Sequence, residues 1–321
     1  LPPYVAAIDA GAQSVMVSFS SWGGMKMHAQ RYLITDVLKG ELGFDGFVVS
    51  DWAAIDQIDP DYYTAVVAAI NAGVDMNMVP YDATRFVDTL TAAVAAGDVS
   101  LDRIDDAVRR ILTVKFALGL FEQPYANPDL APRVGSEPHR ALAREAVAKS
   151  LVLLKNESDL LPLPPDLPTL YVAGVAADDI GIQSGGWTIE WQGKPGDITP
   201  GATILAGVQQ ALSPQTTLIY DPYAQFGDNA PGEGGMICLG VVGELPYAEG
   251  LGDSATLTLP VNELRTLDRL AEQCDQLAVV LISGRPLLIA DRVEQWDALV
   301  AAWLPGTEGQ GVADVLFGAR P

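Results

Sequence analysis

The chain has 321 residues, which is long enough for two domains, and 49% of them are apolar, so it can bury large cores. Its formal net charge of −22 repels nucleic acid, because binding of phosphates requires Lys and Arg. No apolar run approaches the roughly 20 residues of a membrane-spanning helix, so we expect neither nucleic acid nor a membrane as a partner. Such an acidic surface suits a neutral substrate and is compatible with a salty or extracytoplasmic setting.

The chain has two cysteines, Cys238 and Cys274, and two histidines. These numbers are too small for a disulfide scaffold or a Cys/His zinc cluster. We therefore predict no metal site. The sequence places Cys238 in a buried strand and Cys274 in a helix, where a free cysteine acts as a small hydrophobic residue without a redox role.

The first third of the chain alternates short apolar runs with helical patterns. Strands are predicted at residues 15–19, 46–50 and 74–78. Helices are predicted at residues 28–39, stopped by Gly40, and from an Asp59 N-cap with Pro60 at the first position to Gly73. Two more helices follow, of which the second stops at Gly119.

This strand-then-helix order predicts parallel strands. Polar or aromatic residues follow each predicted strand: Ser20 to Trp22, Ser50 to Trp52, and Pro80 to Asp82. In a parallel α/β fold the carboxyl ends of the strands form the active face. Three strand–helix units cannot close a barrel, which needs about eight.

The pattern breaks at residues 120–138, which are rich in Pro and read as an extended linker. A helix at residues 139–149 and a short strand at 150–154 then lead into a second α/β region. Its predicted strands are residues 170–174, 217–220, 236–242, 278–282 and 299–303. Its predicted helices are residues 203–212 and 261–273.

Asp51 is the first candidate for chemistry, because it is a carboxylate at the end of a buried strand and is followed by Trp52. Substrates bind at such strand ends in α/β folds. The alternative is that Asp51 only caps the helix that follows.

Glu190 is the second candidate. It lies between Trp187 and Trp191 in a run framed by glycines. Aromatic rings stack on the apolar faces of sugars, and they also remove water from a carboxyl group. Loss of water raises the pKa of a carboxyl group, as a general acid at neutral pH requires. The alternative is an ordinary loop with packed tryptophans.

Glu249 is an alternative acid/base, since it lies in another loop, residues 243–253, that follows a predicted strand. A solvated loop is the competing interpretation. Nucleotide binding is disfavoured, because the second region has no G-x-G-x-x-G after its first strand and the chain has no G-x-x-x-x-G-K-[ST] motif.

Four motifs together resemble the two-domain glycoside hydrolases of family 3. Gly43 to Trp52 (GFDGFVVSDW) looks like the family's nucleophile segment, and Ser150 to Asn156 (SLVLLKN) looks like the start of its second domain. Gly185 to Gly193 (GGWTIEWQG) is similar to the acid/base loop of the β-glucan exohydrolase branch, and Pro305 to Gly311 (PGTEGQG) also matches.

The resemblance implies the last three β/α units of a TIM-type barrel at residues 1–119, a linker at 120–138, and an α/β sandwich domain at 139–321. The barrel strands that precede these units in the family are missing, and so is sandwich sequence after Pro321. We therefore expect the chain to be a fragment that, by itself, has no appreciable hydrolase activity.

The resemblance assigns Asp51 as the nucleophile and Glu190 as the acid/base of a retaining, exo-acting β-glucoside or β-glucan hydrolase without cofactor or metal. The residues expected to bind or support the sugar are Trp52, Trp187, Trp191, Phe19, Lys26 and His28. Phe19 stands where some relatives have Tyr, so a hydroxyl contact is lost, and Gln57 stands where plant relatives have Arg. A periplasmic or secreted location is expected.

Retention requires the two carboxyl groups about 5–5.5 Å apart, so residues from both domains must meet.

A β-xylosidase or another family 3 glycosidase stays open as an alternative. A β-N-acetylglucosaminidase is disfavoured, because that activity usually dispenses with the second domain. A non-catalytic sugar-binding relative is a further alternative.

Overall fold

The computed structural model describes residues 1–227 and 235–321. The chain divides into two compact units, Leu1–Pro128 and Asp129–Pro321. Among the described residues, no helix combines the length and the apolar character that a membrane crossing demands.

The first unit contains one parallel pair of strands, a short antiparallel hairpin and a set of helices. Its strands are β1 (Ser14–Met16), the short hairpin β2 (Ser21–Trp22) and β3 (Met25–Lys26), and β4 (Phe47–Val49). Its α-helices are α1 (Pro2–Asp9), α2 (Tyr62–Ala72), α3 (Ala83–Ala96) and α4 (Leu101–Ala117). β1 and β4 are in register from Ser14 opposite Phe47 to Met16 opposite Val49, which confirms the predicted parallel arrangement.

The predicted strand at residues 74–78 makes only one parallel bridge, between Val49 and Met76. The reason is the side chain of Asp75, which accepts a hydrogen bond from the Val48 N–H at 2.8 Å. Asp75 is buried and also bonds Lys39 Nζ at 2.8 Å and the Arg103 guanidinium. A buried carboxylate needs such partners, so this segment is fixed by a charged network as well as by the strand ladder.

Two helix predictions in this unit are wrong, the first in helix type and in both ends and the second at its start. Residues 28–39 do not form one α-helix, because a 3₁₀ turn at Met27–Ala29 precedes a π-helix at Tyr32–Glu41, which runs through Gly40. α2 begins at Tyr62 and not at Pro60, because Asp61 is its N-cap and accepts from the Thr64 N–H at 3.0 Å. Gly73 ends α2 as predicted, with φ at +111°.

The second unit is a six-stranded sheet between layers of helices. Its strands are β5 (Val152–Asn156), β6 (Thr169–Ala173), β7 (Thr217–Asp221), β8 (Ile237–Gly243), β9 (Gln276–Ile282) and β10 (Ala298–Trp303). Their order in the sheet is β5-β10-β9-β8-β6-β7, with the edge strand β5 antiparallel and all other pairs parallel. The five predicted main strands are confirmed within two residues at each end.

The helices of this unit are α5 (Glu137–Ser150), α6 (Ile180–Ser184), α7 (Ile204–Ala211), α8 (Val261–Gln273) and α9 (Gln310–Leu316). α5 begins two residues before its predicted start, and α6 and α9 were not predicted, because both lie in glycine-rich runs. Successive residues of β6 enter different cores: Leu170 and Val172 face α7 and α9, whereas Tyr171 and Ala173 face α8. Burial on both faces explains why these strands appear in the sequence as continuous apolar runs.

Cys238 and Cys274 form a disulfide, so the prediction of two separate, free cysteines is wrong. Cys274 follows the last turn of α8, and the next residue, Asp275, donates its N–H to the Met236 carbonyl at 3.0 Å. The chain therefore returns from α8 beside the start of β8, and the two Cα atoms lie 6.0 Å apart. Spacing along the sequence did not reveal this, because it depends on how α8 packs on the sheet.

One titratable side chain is buried in α8. Glu263 is 1% exposed, and its Oε1 accepts a hydrogen bond from the Asn262 amide at 2.9 Å. Burial raises the pKa of Glu263 from 4.5 to about 7, although a hydrogen bond from the backbone of Gly243 acts in the opposite direction. The folded protein therefore holds a proton on Glu263 at pH values where the unfolded chain has lost it.

We expect Glu263→Gln to stabilise the second unit at pH 8 and to change little at pH 5. Since the folded chain binds more protons between pH 4.5 and 7, the free energy of unfolding falls as the pH rises through that interval. At pH 8 the raised pKa of Glu263 lowers the free energy of unfolding by about 3 kcal/mol. Thermal unfolding of wild type and variant at the two pH values measures it. Glu272→Gln, an exposed glutamate of the same helix, is the control, and an equal stabilisation at both pH values would contradict the prediction.

Candidate active site

Asp51 follows β4 directly, and its backbone is held by two neighbours. Ser50 is buried, donates its hydroxyl to the Asp51 carbonyl at 2.9 Å, and accepts from the Met78 N–H at 2.8 Å. The N–H of Asp51 donates to His28 Nε2 at 3.0 Å. These bonds fix the backbone of Asp51 at the end of β4, and thereby the point from which its carboxylate side chain extends.

His28 is the buried support of Asp51, with 1% of its surface exposed. Burial lowers the pKa of His28, although the nearby Asp51 carboxylate and a hydrogen bond to the Val17 backbone raise it. The imidazole ring must be neutral here. Its Nε2 accepts a hydrogen bond from the Asp51 N–H, while the other ring nitrogen is hydrogen-bonded to the Val17 backbone. The family resemblance implies a supporting role for His28, and its contact with the Asp51 N–H defines that role.

The side chain of Asp51 does not cap the helix that follows it. A 3₁₀ helix begins at Ala54 with Ala53 as its N-cap, and no side chain bonds that cap. Asp51 Oδ1 accepts instead from the N–H of its neighbour Trp52 at 2.7 Å. The half-buried carboxylate is thus available for chemistry at the carboxyl end of a parallel strand.

The other predicted residues of this unit lie at the surface. Trp52 is 56% exposed and packs edge-on against Tyr81, with ring centroids 6.2 Å apart. Phe19 is also exposed, and Lys26 Nζ donates to Gln57 Oε1 at 3.0 Å. Tyr81 follows the predicted strand at residues 74–78, and its contact with Trp52 makes it a further candidate for sugar stacking.

Glu190 lies in the second unit, in residues 185–193, which we term the tryptophan loop. The loop folds on itself through hydrogen bonds from the Trp187 N–H to the Trp191 carbonyl and from the Gly193 N–H to the Glu190 carbonyl. Trp187 and Ile189 have positive φ angles of 61° and 63°. Non-glycine residues adopt this backbone only when surrounding contacts enforce it.

Within this unit the tryptophans do not bury Glu190. Its side chain is 55% exposed and forms an ion pair with Lys194 Nζ at 2.5 Å. The rings of Trp187 and Trp191 lie 6.3 Å apart, tilted by 56°, and both are exposed. The expectation that they desolvate the carboxyl is therefore not met by this unit itself, whereas their exposed faces suit stacking against a sugar.

The loop of the alternative candidate, Glu249, contacts the tryptophan loop. Gln192 accepts from the Ala248 N–H at 2.8 Å and donates to the Glu249 carbonyl at 3.4 Å. The contact involves the backbone of Glu249, whose side chain is exposed. Gln192 does not stand out in the sequence, because its role is to hold the loop that contains Ala248 and Glu249, and that contact is not visible in the sequence. Over the described residues, no three His, Cys, Asp or Glu side chains are grouped so that they could hold a metal ion.

Comparison with protein families matches both units. The glycosyl hydrolase family 3 N-terminal domain matches residues 1–114, and the glycosyl hydrolase family 3 C-terminal domain matches residues 151–321. The first match covers Asp51 and the second covers Glu190.

Three similar proteins illustrate the relationship. A lysosomal β-glucosidase of Dictyostelium discoideum is 35% identical over 99% of this chain and 42% of its own length. A periplasmic β-glucosidase of Salmonella typhimurium is 31% identical over 99% of this chain and 46% of its own length. The crystal structure of an exo-1,3/1,4-β-glucanase from a Pseudoalteromonas species has a TM-score of 0.88 and 41% identity, over 97% of this chain and 40% of the other. The chain thus spans less than half the length of these relatives.

Proposed function

This chain belongs to glycosyl hydrolase family 3, and we propose that it is part of a retaining, exo-acting hydrolase of β-glucosides or β-glucans. The observation that supports the proposal most directly is the state of Asp51. Its backbone is fixed by His28 and Ser50, and its carboxylate is not used to cap the following helix. A nucleophile needs this combination of fixed position and free oxygen.

In the first step Asp51 attacks the anomeric carbon, while Glu190 donates a proton to the oxygen of the leaving group. A covalent glycosyl-aspartate forms. In the second step Glu190 takes a proton from water, which displaces Asp51 and releases the sugar with its original configuration.

The substrate class follows from the surface and from the relatives. The exposed rings of Trp52, Trp187 and Trp191 suit the apolar faces of a sugar, and the acidic surface suits a neutral ligand. The relatives named above are β-glucosidases and an exo-β-glucanase. We therefore assign β-glucosides or β-glucan oligosaccharides as the substrates.

A periplasmic or secreted location is part of the proposal. The Salmonella relative is periplasmic by name, and the Cys238–Cys274 disulfide fits an oxidising compartment.

Covalent labelling tests the proposed function. A 2-deoxy-2-fluoro-β-glucosyl fluoride should glycosylate the complete gene product that contains this chain. The fluorine at C2 slows both steps, and the good fluoride leaving group at C1 keeps formation of the intermediate faster than its hydrolysis. Mass spectrometry of the digested protein should locate one glycosyl group on Asp51. A label on another residue would reassign the nucleophile, and binding of glucose without any label would favour the non-catalytic sugar-binding alternative.

A further inference from the structure

We propose that Asp75 is a positioning residue for the nucleophile Asp51 and acts through the strand that carries it. The inference rests on the proposed function, since it takes Asp51 as the nucleophile. The side chain of Asp75 bonds the backbone of Val48 and the cations of Lys39 and Arg103. These partners are structural groups of the first unit, so Asp75 can affect the reaction only through the place that it gives to Asp51.

Asp75 holds both backbone groups of Val48, three residues before Asp51. The Val48 N–H donates to Asp75 Oδ2 at 2.8 Å, and the Val48 carbonyl accepts from the N–H groups of Asp75 and Met76 at 2.8 and 3.0 Å. In an ordinary parallel ladder a backbone carbonyl of the neighbouring strand would accept the bond from the Val48 N–H. Here a carboxylate accepts it, and the charge makes the bond stronger. The Asp75 side chain therefore sets the register of β4 against its neighbour.

That neighbour is the segment of residues 74–78, which we term the Asp75 segment, and it also bonds the chain on both sides of Asp51. Before Asp51, the Ser50 hydroxyl accepts from the Met78 N–H at 2.8 Å. After Asp51, the Ala53 N–H donates to the Met78 carbonyl at 3.1 Å. Any shift of the Asp75 segment along β4 therefore moves the backbone of Asp51 as well.

Two buried cations hold the Asp75 segment in place. Lys39 Nζ donates to both carboxylate oxygens of Asp75 at 2.8 Å and to the Gly73 carbonyl at 2.7 Å. The Arg103 guanidinium pairs with Asp75 as well and donates to the Val74 carbonyl at 3.3 Å. The side chain of Asp75 is fully buried, and those of Lys39 and Arg103 are 7% and 14% exposed. Charge-assisted bonds that are shielded from water in this way are geometrically specific, so the charged network holds the segment in one position.

The rate at which Asp51 attacks its substrate should depend on this support. A displacement of about 1 Å in a group close to the reacting atoms is enough to lower a rate by about 100-fold. Weakening of the charged network should therefore slow the attack of Asp51 on the anomeric carbon. Binding of a sugar that undergoes no attack depends less on the exact place of the carboxylate, so its affinity should change little. The two effects can be measured separately.

The test measures both effects on the complete gene product, at a temperature well below the unfolding midpoint of each variant. Asp75→Asn keeps the shape of the side chain, but its amide oxygen can accept from the Val48 N–H only while its NH2 group faces the two cations. Its rate of glycosylation by saturating 2-deoxy-2-fluoro-β-glucosyl fluoride should be about tenfold below that of the wild type, while the inhibition constant of glucose stays within about twofold. Ser50→Ala removes the bond from the Met78 N–H and keeps the charged network. It should slow glycosylation in the same way, and it decides the question if Asp75→Asn does not fold.

Asp106→Asn is the matched control. Asp106 belongs to the same charged network through its ion pairs with two arginines, but it lies outside the Asp75 segment, and its substitution should leave the rate of glycosylation unchanged. If the wild type is labelled at Asp51 and the folded Asp75→Asn, or in its absence Ser50→Ala, reacts at the wild-type rate, the positioning role is wrong. It is also wrong if Asp106→Asn is slowed as much as Asp75→Asn, because the effect then belongs to the network as a whole. If the wild type carries no label at Asp51, the proposed function itself is wrong.

Discussion

Asp51→Asn is expected to lower kcat for aryl β-glucosides by about four powers of ten or more, while the fold is kept. The amide has nearly the shape of the carboxylate and can still accept from the Trp52 N–H. The backbone N–H should also still donate to His28, and the backbone carbonyl should still accept from Ser50. It cannot form the glycosyl-aspartate, however, and loss of a nucleophile usually costs several powers of ten in rate. Steady-state hydrolysis of 4-nitrophenyl β-glucoside by the complete gene product measures the loss.

Asp56→Asn is the matched control for this substitution. Asp56 is an exposed carboxylate in the 3₁₀ helix five residues further along the chain. The control should retain activity near that of the wild type, and both variants should unfold at the wild-type temperature. Retention of more than about 5% of the wild-type rate by Asp51→Asn would show that another group is the nucleophile.

Much of the fold was predictable, because burial on both faces of the second sheet makes its strands visible as apolar runs. The predicted helix at residues 261–273 coincides with α8 for a related reason: one face of it, including Leu267 and Leu270, is buried against the sheet. Family resemblance then supplied the two-domain α/β architecture, and the match of residues 151–321 to the C-terminal domain supports it.

Features that depend on contacts between distant residues were not predictable. The Cys238–Cys274 bridge requires that α8 return beside β8, which no spacing rule encodes. The strand expected at residues 74–78 is reduced to one bridge, because Asp75 uses its side chain to bind Val48, Lys39 and Arg103. An aspartate within the run of residues 74–78 was the available signal that this segment is not an ordinary strand.

In the candidate site, too, some residues are visible in the sequence, whereas others depend on contacts between distant residues. Asp51 and Glu190 stand out in the sequence because each is a carboxylate beside tryptophan in a segment that follows a strand. The groups that hold them, His28 for Asp51 and the Ala248 N–H for the loop of Glu190, are distant in sequence from the residues they support. Only the packing of the strand ends brings these supports to their positions.

Glu190→Ala is expected to slow substrates with poor leaving groups far more than those with good ones. A general acid contributes about 100- to 10,000-fold where the leaving oxygen needs a proton and little where it does not. Phenyl and 2,4-dinitrophenyl β-glucosides, assayed under the same conditions, measure this difference. The second step should also become slow for good substrates, because no base is left to activate water.

Azide should restore the activity of Glu190→Ala and give a β-glucosyl azide. The anion needs no base, and it displaces Asp51 from the covalent intermediate with a second inversion, so the product has the configuration of the substrate. Glu249→Ala is the matched control, because Glu249 is an exposed glutamate in the loop of residues 243–253, which contacts the tryptophan loop. If azide rescues Glu249→Ala and has no effect on Glu190→Ala, the proton donor is Glu249 in the loop of residues 243–253, and the ion pair between Glu190 and Lys194 is only structural.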